Sequence, residues 1–401
     1  MSRASQPTVL LTLGRLPKAL EVARALHAAG CRVIVAEPFA SHLTGASRSI
    51  ARSVAVSSPV TDREAYLREL VALVAEEGVE LVLPVSEEIL FASLLRGRLP
   101  AGVRLAAMPH EALLALHDKG SFVEVCAAAG VAAPATARLG GPQAAALAQA
   151  GPCVVKPVFS CSGRGVEFLE AGALLPQRPE PCIVQRFCPG RLLSTFSIAR
   201  AGETRLTVTY RGAVMQGSVA VCFERIDTPP AVDAWVRGFI RHVGFDGFVS
   251  FDLVEDAAGA ISGIECNPRA TSGIHFVEPA DLAAALLEPA ELQGVCAETN
   301  AAPLAGGGAD MANFLAQYRA EFRSEPDGFA VGQYDATNMI INAAMKGAKT
   351  AEDMRKALAE GTYKGLAMTY KSDGKGNMSH SAMIICYDAG RVPKIAKRYE
   401  P

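Results

Sequence analysis

The stretch FVSFDLVEDAAGAISGIECNPR, residues 248–269, decides the fold. Two apolar runs, Phe248–Val254 and Ile261–Cys266, flank the turn Glu255-Asp256-Ala257-Ala258-Gly259 and predict an antiparallel strand pair. Asp252 falls on the first strand, and Glu265 and Asn267 on the second. Alternation puts Glu265 and Asn267 on one face and turns Cys266 to the other. Two carboxylates and an amide oxygen are hard donors. They suit Mg²⁺, or Mn²⁺ in its place, that also takes oxygens from a substrate's phosphates. A thiolate-seeking metal would need Cys or His in the cluster.

Upstream of this pair, Cys153–Pro157 predicts a strand whose Lys156 leads into the loop Phe159-Ser160-Cys161-Ser162-Gly163-Arg164-Gly165-Val166. Small residues at Ser160, Ser162, Gly163 and Gly165 let backbone N–H groups approach phosphate oxygens, and the lysine adds a point charge. Lys119 opens a helix in His117-Asp118-Lys119-Gly120-Ser121-Phe122 that ends near Gly130. With Lys18, these are the only lysines among residues 1–300, which hold twenty-three arginines. Lys119 and Lys156 therefore read as selected ammonium donors. Cys182–Phe187 predicts another strand, followed by strands at Leu193–Arg200, Arg205–Tyr210 and Ser218–Cys222. Helices are predicted at Ala231–Val243 and Pro279–Leu287.

At the N-terminus, strands at Val9–Leu13, Cys31–Ala36, Ser53–Val56 and Glu80–Val85 alternate with helices at Pro17–Ala29 and Asp62–Glu77. That alternation predicts an α/β, doubly wound parallel domain. Its first turn, Leu13-Gly14-Arg15-Leu16-Pro17, lacks the GxGxxG pattern, so dinucleotide binding there has weak support. Glu87, in Ser86-Glu87-Glu88 at a strand's carboxyl end, is a candidate substrate contact; an N-cap serine with first-turn acids explains it equally well. His275 is a second substrate candidate, set against an ordinary packed histidine.

The order of these elements resembles the ATP-grasp superfamily over about residues 8–295. The resemblance rests on Asp118-Lys119 with Phe122, Gly130-Val131 with Pro134, and Val155-Lys156-Pro157. The glycine loop, Val184-Gln185 with Pro189-Gly190, and Phe251-Asp252 with Glu265, Asn267, Pro268 and Arg269 complete it. It implies a two-part α+β domain over 111–296 (a small lid part, 118–184, and a metal-binding part, 185–296) behind the parallel domain of 1–110. It also implies that Lys119, Lys156 and the 160–165 loop contact ATP phosphates, and that Asp252, Glu265 and Asn267 hold Mg²⁺. Residues 183–186, with Gln185 and Arg186, would meet adenine. Arg269, with Lys156, would serve catalysis by stabilising the transferring phosphoryl group or an acyl phosphate. The implied activity is a carboxylate–amine ligase that releases ADP and phosphate. Two departures, Arg186 and Leu192 where the family has acids, keep a non-catalytic ATP- or metabolite-binding module as the alternative. Carboxy-phosphate chemistry is a third reading.

The chain of 401 residues is 50% apolar and 20% charged with a net charge of −2, which offers no basic face for nucleic acid. No apolar run is long enough for a membrane span, and no signal-peptide pattern opens the chain. Ten cysteines without paired spacing read as buried thiols of a cytoplasmic protein. The expected partners are a small carboxylate and a small nucleophile, and a homodimer is compatible with the reading. Composition then changes. Residues 301–401 hold eight lysines against five arginines, with seven of the ten methionines and six of the eight tyrosines. A linker is expected at 297–309, rich in Ala and Gly. Helices are predicted at Ala309–Phe322, Tyr334–Met345 and Ala351–Glu360, with strands at Gly365–Tyr370 and Ser381–Tyr387. Residues 310–401 resemble the C-terminal portion of type I periplasmic binding proteins of the branched-chain amino acid class. They read as a partial α/β segment joined by gene fusion, with Tyr334 and Asp335 structural.

Overall fold

The chain divides after Leu286 into two compact units. The computed structural model describes residues 6–160, 163–216, 219–287, 296–299, 309–322, 326, 328–366, 369–373, 378–380, 382–387 and 393–399; at 216, 219, 296–299, 309, 328–329 and from 374 on, only the backbone is described.

The first unit opens with the strands β1 (Thr8–Leu11), β2 (Arg32–Glu37), β3 (Arg52–Ala55), β4 (Leu81–Leu83) and β5 (Arg104–Leu105), all parallel. Their order is β3-β2-β1-β4-β5, so the order reverses between β1 and β4. Helices α1 (Pro17–Ala28), α2 (Arg63–Glu77), α3 (Ile89–Ala92) and α4 (His110–His117) connect and follow them. β1 is buried along its whole length, as expected of a parallel strand covered on both faces. Pro17 starts α1. Asp62 caps α2 by accepting from Ala65 N–H, and Gly78 ends that helix at φ 62°, a left-handed conformation that favours glycine.

Two antiparallel sheets follow α5 (Lys119–Ala128). The smaller contains β6 (Thr136–Arg138), β7 (Cys153–Pro157), β8 (Glu167–Leu169) and β9 (Cys182–Arg186) in the order β6-β9-β7-β8, with α6 (Pro142–Ala150) packed beneath. The larger contains β10 (Arg191–Arg200), β11 (Glu203–Gln216), β12 (Val219–Ile226), β13 (Gly247–Glu255) and β14 (Ile261–Asn267) in the order β12-β11-β10-β13-β14. It is backed by α7 (Pro230–Val243) and α8 (Pro279–Leu286). β11 is longer than the predicted Arg205–Tyr210 because Gly212 sits in an irregular ladder instead of ending the strand.

One apolar core joins these layers. It runs from Leu10, Ile34 and Val82 of the parallel sheet to Phe122, Trp235, Phe239 and Phe251. The core therefore continues across the domain boundary expected at residue 110. Trp235 stacks on Phe239 with ring centroids 5.5 Å apart, and its Nε1–H donates to the Ala132 carbonyl at 2.9 Å. Burial of each such ring stabilises the fold by roughly 1.5–3 kcal/mol. Cys31, Cys126, Cys153, Cys182 and Cys266 are buried as expected, whereas Cys222, on β12, is exposed.

The second unit contains β15 (Cys296–Thr299), α9 (Ala309–Phe322), α10 (Gly328–Met345), α11 (Ala351–Glu360), β16 (Thr362–Lys364), β17 (Thr369–Ser372), β18 (Met378–His380), β19 (Ala382–Tyr387) and β20 (Pro393–Tyr399). They form the sheets β15-β19-β20 and β16-β17-β18. Met311, Phe314, Leu315 and Val331 make its own small core. Burial of Val331 accounts for α10 starting before the predicted Tyr334, with Gly332 carried inside the helix. Among the described residues of the strand predicted at Gly365–Tyr370, only Thr369 and Tyr370 lie in a strand, β17, and β16 ends before the segment begins. Gly365 lies outside both, where a Cβ would come within 2.2 Å of the Asp335 carboxylate. Of the linker expected at 297–309, residues 297–299 belong instead to β15, paired with β19, and Ala309 opens α9; residues 300–308 lie outside the described residues. Among the described residues no helix is long and apolar enough to cross a membrane.

Candidate active site

The pairing of β13 with β14 sets the site. Asp252 faces Glu265 and Ser250 faces Asn267, but Leu253 faces Gly263, so Ile264 is an extra residue in the ladder. Such a bulge changes which face every later side chain takes. Before it, Gly263 lies against the Trp235 ring; after it, Cys266 enters the core. Glu265 and Asn267 are thereby turned to the face carrying Asp252. Strict alternation from Gly263 would have buried Glu265 among the aromatic rings.

Asp252 accepts a hydrogen bond from the Ser194 hydroxyl at 2.7 Å. Burial, and then the charge of Glu265, raise its pKa, while Ser194, Lys156 and Arg269 act against the rise. Two facing carboxylates beside an amide oxygen fit a divalent cation, whose charge would relieve that repulsion. Among the described residues no group of three or more His, Cys, Asp and Glu comes together in a way that could hold a metal ion.

Both lysines converge on the bulge. Lys156, on β7, donates to the Ile264 carbonyl at 3.1 Å and so meets the bulged residue itself. Burial lowers its pKa to about 8; Glu265 and Asp252 oppose the shift and Lys119 adds to it. Lys119 is buried at the start of α5, where Asp118 caps the helix by accepting from Gly120 and Ser121 N–H. Its Nζ lies 3.5 Å from Glu265 Oε2 and donates to the Ser160 carbonyl at 3.1 Å. The lysine thus ties the glycine loop to the acidic pair. Gly163 and Gly165 both have left-handed φ, and a Cβ on Gly165 would strike Pro157. Ser162 lies outside the described residues.

The other predicted nucleotide contacts are arranged differently. β9 is interior, paired with β6 on one side and β7 on the other, so its main-chain groups are taken up by the ladders. Arg186 N–H donates to Ala135 and Phe187 N–H to Pro152. The buried Gln185 side chain donates to the Thr136 hydroxyl at 3.0 Å, and Arg186 passes over Gly151. The main chain of residues 183–186 therefore offers little to a base.

The point between β1 and β4 where strand order reverses is where open α/β sheets bind ligands. Its first turn is closed by the chain itself. The buried Glu37 carboxylate accepts from Gly14 N–H at 2.8 Å, Arg15 N–H at 3.1 Å and the Arg15 guanidinium. A phosphate has no place there, in accord with the missing glycine pattern. The segment after β14 lies across the β4 side. Ala270 N–H donates to the Val85 carbonyl at 3.2 Å, and Arg269 Nε lies 2.8 Å from Glu87 Oε1. His275 is half-exposed, with Nδ1 3.8 Å from Glu21 of α1.

Three site residues escaped the sequence reading. Glu88 is buried and accepts from Val85 N–H, Ser86 N–H and the Thr12 hydroxyl. His117, its pKa lowered chiefly by burial, packs its ring 5.6 Å from Phe159 of the glycine loop. Lys18 donates to the Ala270 carbonyl at 2.7 Å. Only its rarity in the first 300 residues pointed to Lys18.

The second unit has a separate cavity of about 380 Å³ that Phe314, Tyr334, Asp335 and Tyr363 help to line. Asp335 is fully buried, and both its oxygens are used, accepting from Leu366 N–H at 2.8 Å and the Tyr370 hydroxyl at 3.2 Å.

Residues 116–273 match the family model of the ATP-grasp domain. No curated protein matches the chain in sequence. Among solved structures, the chain is similar to the biotin carboxylase domain of Hydrogenobacter thermophilus 2-oxoglutarate carboxylase, solved with MgADP, ADP and bicarbonate. That likeness has a TM-score of 0.55 at 14% identity, over 75% of this chain and 76% of the other. An L-amino acid ligase from Bacillus licheniformis gives 0.54 at 16%, over 77% and 82%. The ADP complex of an N5-carboxyaminoimidazole ribonucleotide synthetase gives 0.54 at 15%, over 71% and 77%. At these identities the shared property is the fold.

Proposed function

We propose that residues 5–286 carry an ATP-grasp ligase that uses MgATP to activate a small carboxylate and passes the acyl group to an amine or other nucleophile. The observation that carries this reading is the convergence of Lys119, Lys156, Asp252 and Glu265 on the bulge at Ile264. Lys119 and Lys156 supply positive charge for the phosphates, and the Ser160 carbonyl lies beside Lys119. Asp252, Glu265 and Asn267 would hold Mg²⁺, or Mn²⁺, which when bound neutralises charge on the phosphate oxygens. A substrate carboxylate oxygen attacks the γ-phosphorus and ADP leaves. Attack by the nucleophile's nitrogen on the resulting acyl phosphate then expels phosphate with the C–O electron pair, and the nitrogen's proton passes to solvent. Arg269, held by Glu87, stabilises negative charge in both transfers. The L-amino acid ligase and carboxylase neighbours support carboxylate chemistry on this fold.

A binding-only module with a fused sensing or interaction tail is the second reading. It is favoured by Leu192, 58% exposed at a position where the family has an acid. Residues 310–401 keep the reading of a periplasmic-binding-protein-like appendage. Calorimetric titration with MgATP tests the site itself. Lys156→Ala and Glu265→Ala are each expected to weaken binding at least about tenfold, as for a lost charge-assisted contact. Unchanged affinity in both would refute the assignment.

A further inference from the structure

Arg269 lies just past the last ladder pair of β13 and β14, Ser250 with Asn267, so no strand partner fixes its carbonyl. A chain of hydroxyls does so instead. Ser250 donates to the Arg269 carbonyl at 3.1 Å, and Thr271 donates to Ser250 at 2.9 Å. Tyr210 Oη, on β11, lies 2.9 Å from Thr271 Oγ1. Ser194 stands directly opposite Tyr210 in the β10–β11 ladder, and its hydroxyl donates to Asp252 at 2.7 Å.

Each hydroxyl has one proton to give. Ser250 spends its proton on the carbonyl and Thr271 spends its own on Ser250, so the bond between Tyr210 and Thr271 uses the phenol's proton. The chain therefore runs one way, from Tyr210 through Thr271 and Ser250 to Arg269. Burial, and then the charge of Asp252, push the phenol up to about 12, so it keeps that proton. The ring is fixed as well. Tyr210 is 3% exposed, its ring lies 5.5 Å from Phe223 and 5.7 Å from Phe276 by centroid, and a Cβ on Gly273 would lie 2.6 Å from it. The ring thus seats the turn that follows Arg269, and the hydroxyl adds a directed bond that reaches the arginine's own backbone.

We propose that Tyr210 is a positioning residue for phosphoryl transfer: through Thr271 and Ser250 its hydroxyl sets the backbone of Arg269, and so the aim of the guanidinium at the transferring group. The inference rests on the ATP-dependent reading of the site and deepens it. Glu87 then holds the arginine at its side chain and Tyr210 at its main chain.

The test uses the full chain and calorimetric titration with MgADP alone and with MgADP plus fluoroaluminate, a mimic of the transferring phosphoryl group. Tyr210→Phe keeps the ring and removes the proton. It is expected to leave MgADP affinity within about twofold of wild type and to weaken the fluoroaluminate complex about three- to tenfold, as for one lost hydrogen bond. In an Arg269→Ala background the same substitution is expected to weaken that complex no further. A merely structural tyrosine would produce neither the split between the two ligands nor its dependence on Arg269. Unchanged binding of the fluoroaluminate complex overturns the proposal, as does an equal loss for both ligands or a loss that persists in Arg269→Ala. Where Tyr210→Phe fails to fold, Thr271→Val breaks the same chain one link on and is read in the same way. If MgADP does not bind the wild-type chain, or fluoroaluminate adds nothing to its binding, the phosphoryl-transfer reading of the whole site falls. If both bind and the split is absent, only the Tyr210 assignment falls.

Discussion

Nε of Arg269 lies 2.8 Å from Oε1 of Glu87, so an acid from the loop between β4 and α3 pairs with the arginine that follows the last strand of the antiparallel sheet. The arginine is largely buried and the acid half-exposed. Replacing Arg269 with Ala is expected to lower ADP formation by about 10²–10³-fold, the usual cost of losing a transition-state donor. Glu87→Gln is expected to lower it less. If Glu87 acts only by orienting Arg269, adding Glu87→Gln to Arg269→Ala changes nothing further, which a double-mutant cycle measures.

Gly263 tests the bulge through stability. A Cβ there would lie 2.3 Å from the Trp235 ring and 3.2 Å from Phe122. Gly263→Ala should destabilise the chain by about 1–3 kcal/mol, read as a lower urea midpoint. An unchanged midpoint would show that the ring is not packed on this strand.

Lys18 should give stability a pH dependence. Burial, and then the charge of Arg269, pull its ammonium down to about 8 against the opposing charges of Glu88 and Glu87. It is charged below that pH and loses its proton above it. The effect is read as the urea midpoint of the wild-type chain relative to that of Lys18→Met, which is expected to rise between about pH 8 and 10. Burial disfavours the charged form, so this group's destabilising contribution is full below about 8 and is relieved as pH rises towards the ordinary lysine range.

The parallel sheet was legible because its buried strands alternate with helices carrying clear start and stop residues such as Asp62 and Gly78. Asp252, Glu265 and Asn267 were legible as a set. The bulge that makes them one was not, since alternation counted from Glu265 hides the extra residue at Ile264. Lys18 was illegible for another reason: its meaning comes from a contact with Ala270, and nothing local marks it. Motif order alone points residues 183–186 to adenine, and it says nothing about the strands that flank β9 on both sides.

The first unit has its own core, so removing residues after Leu287 should leave MgATP affinity and the urea midpoint of the remaining chain unchanged. Loss of either would give the second unit a structural part in the site.

The central claim is that the γ-phosphate passes to a carboxylate. Its most direct measurement supplies the full chain with MgATP, amines and a pool of ¹⁸O-labelled carboxylic acids, and follows ADP and phosphate by mass spectrometry. The account predicts ADP without AMP, and inorganic phosphate carrying one ¹⁸O from the acid. AMP with pyrophosphate, or phosphate free of label while amide accumulates, would contradict it.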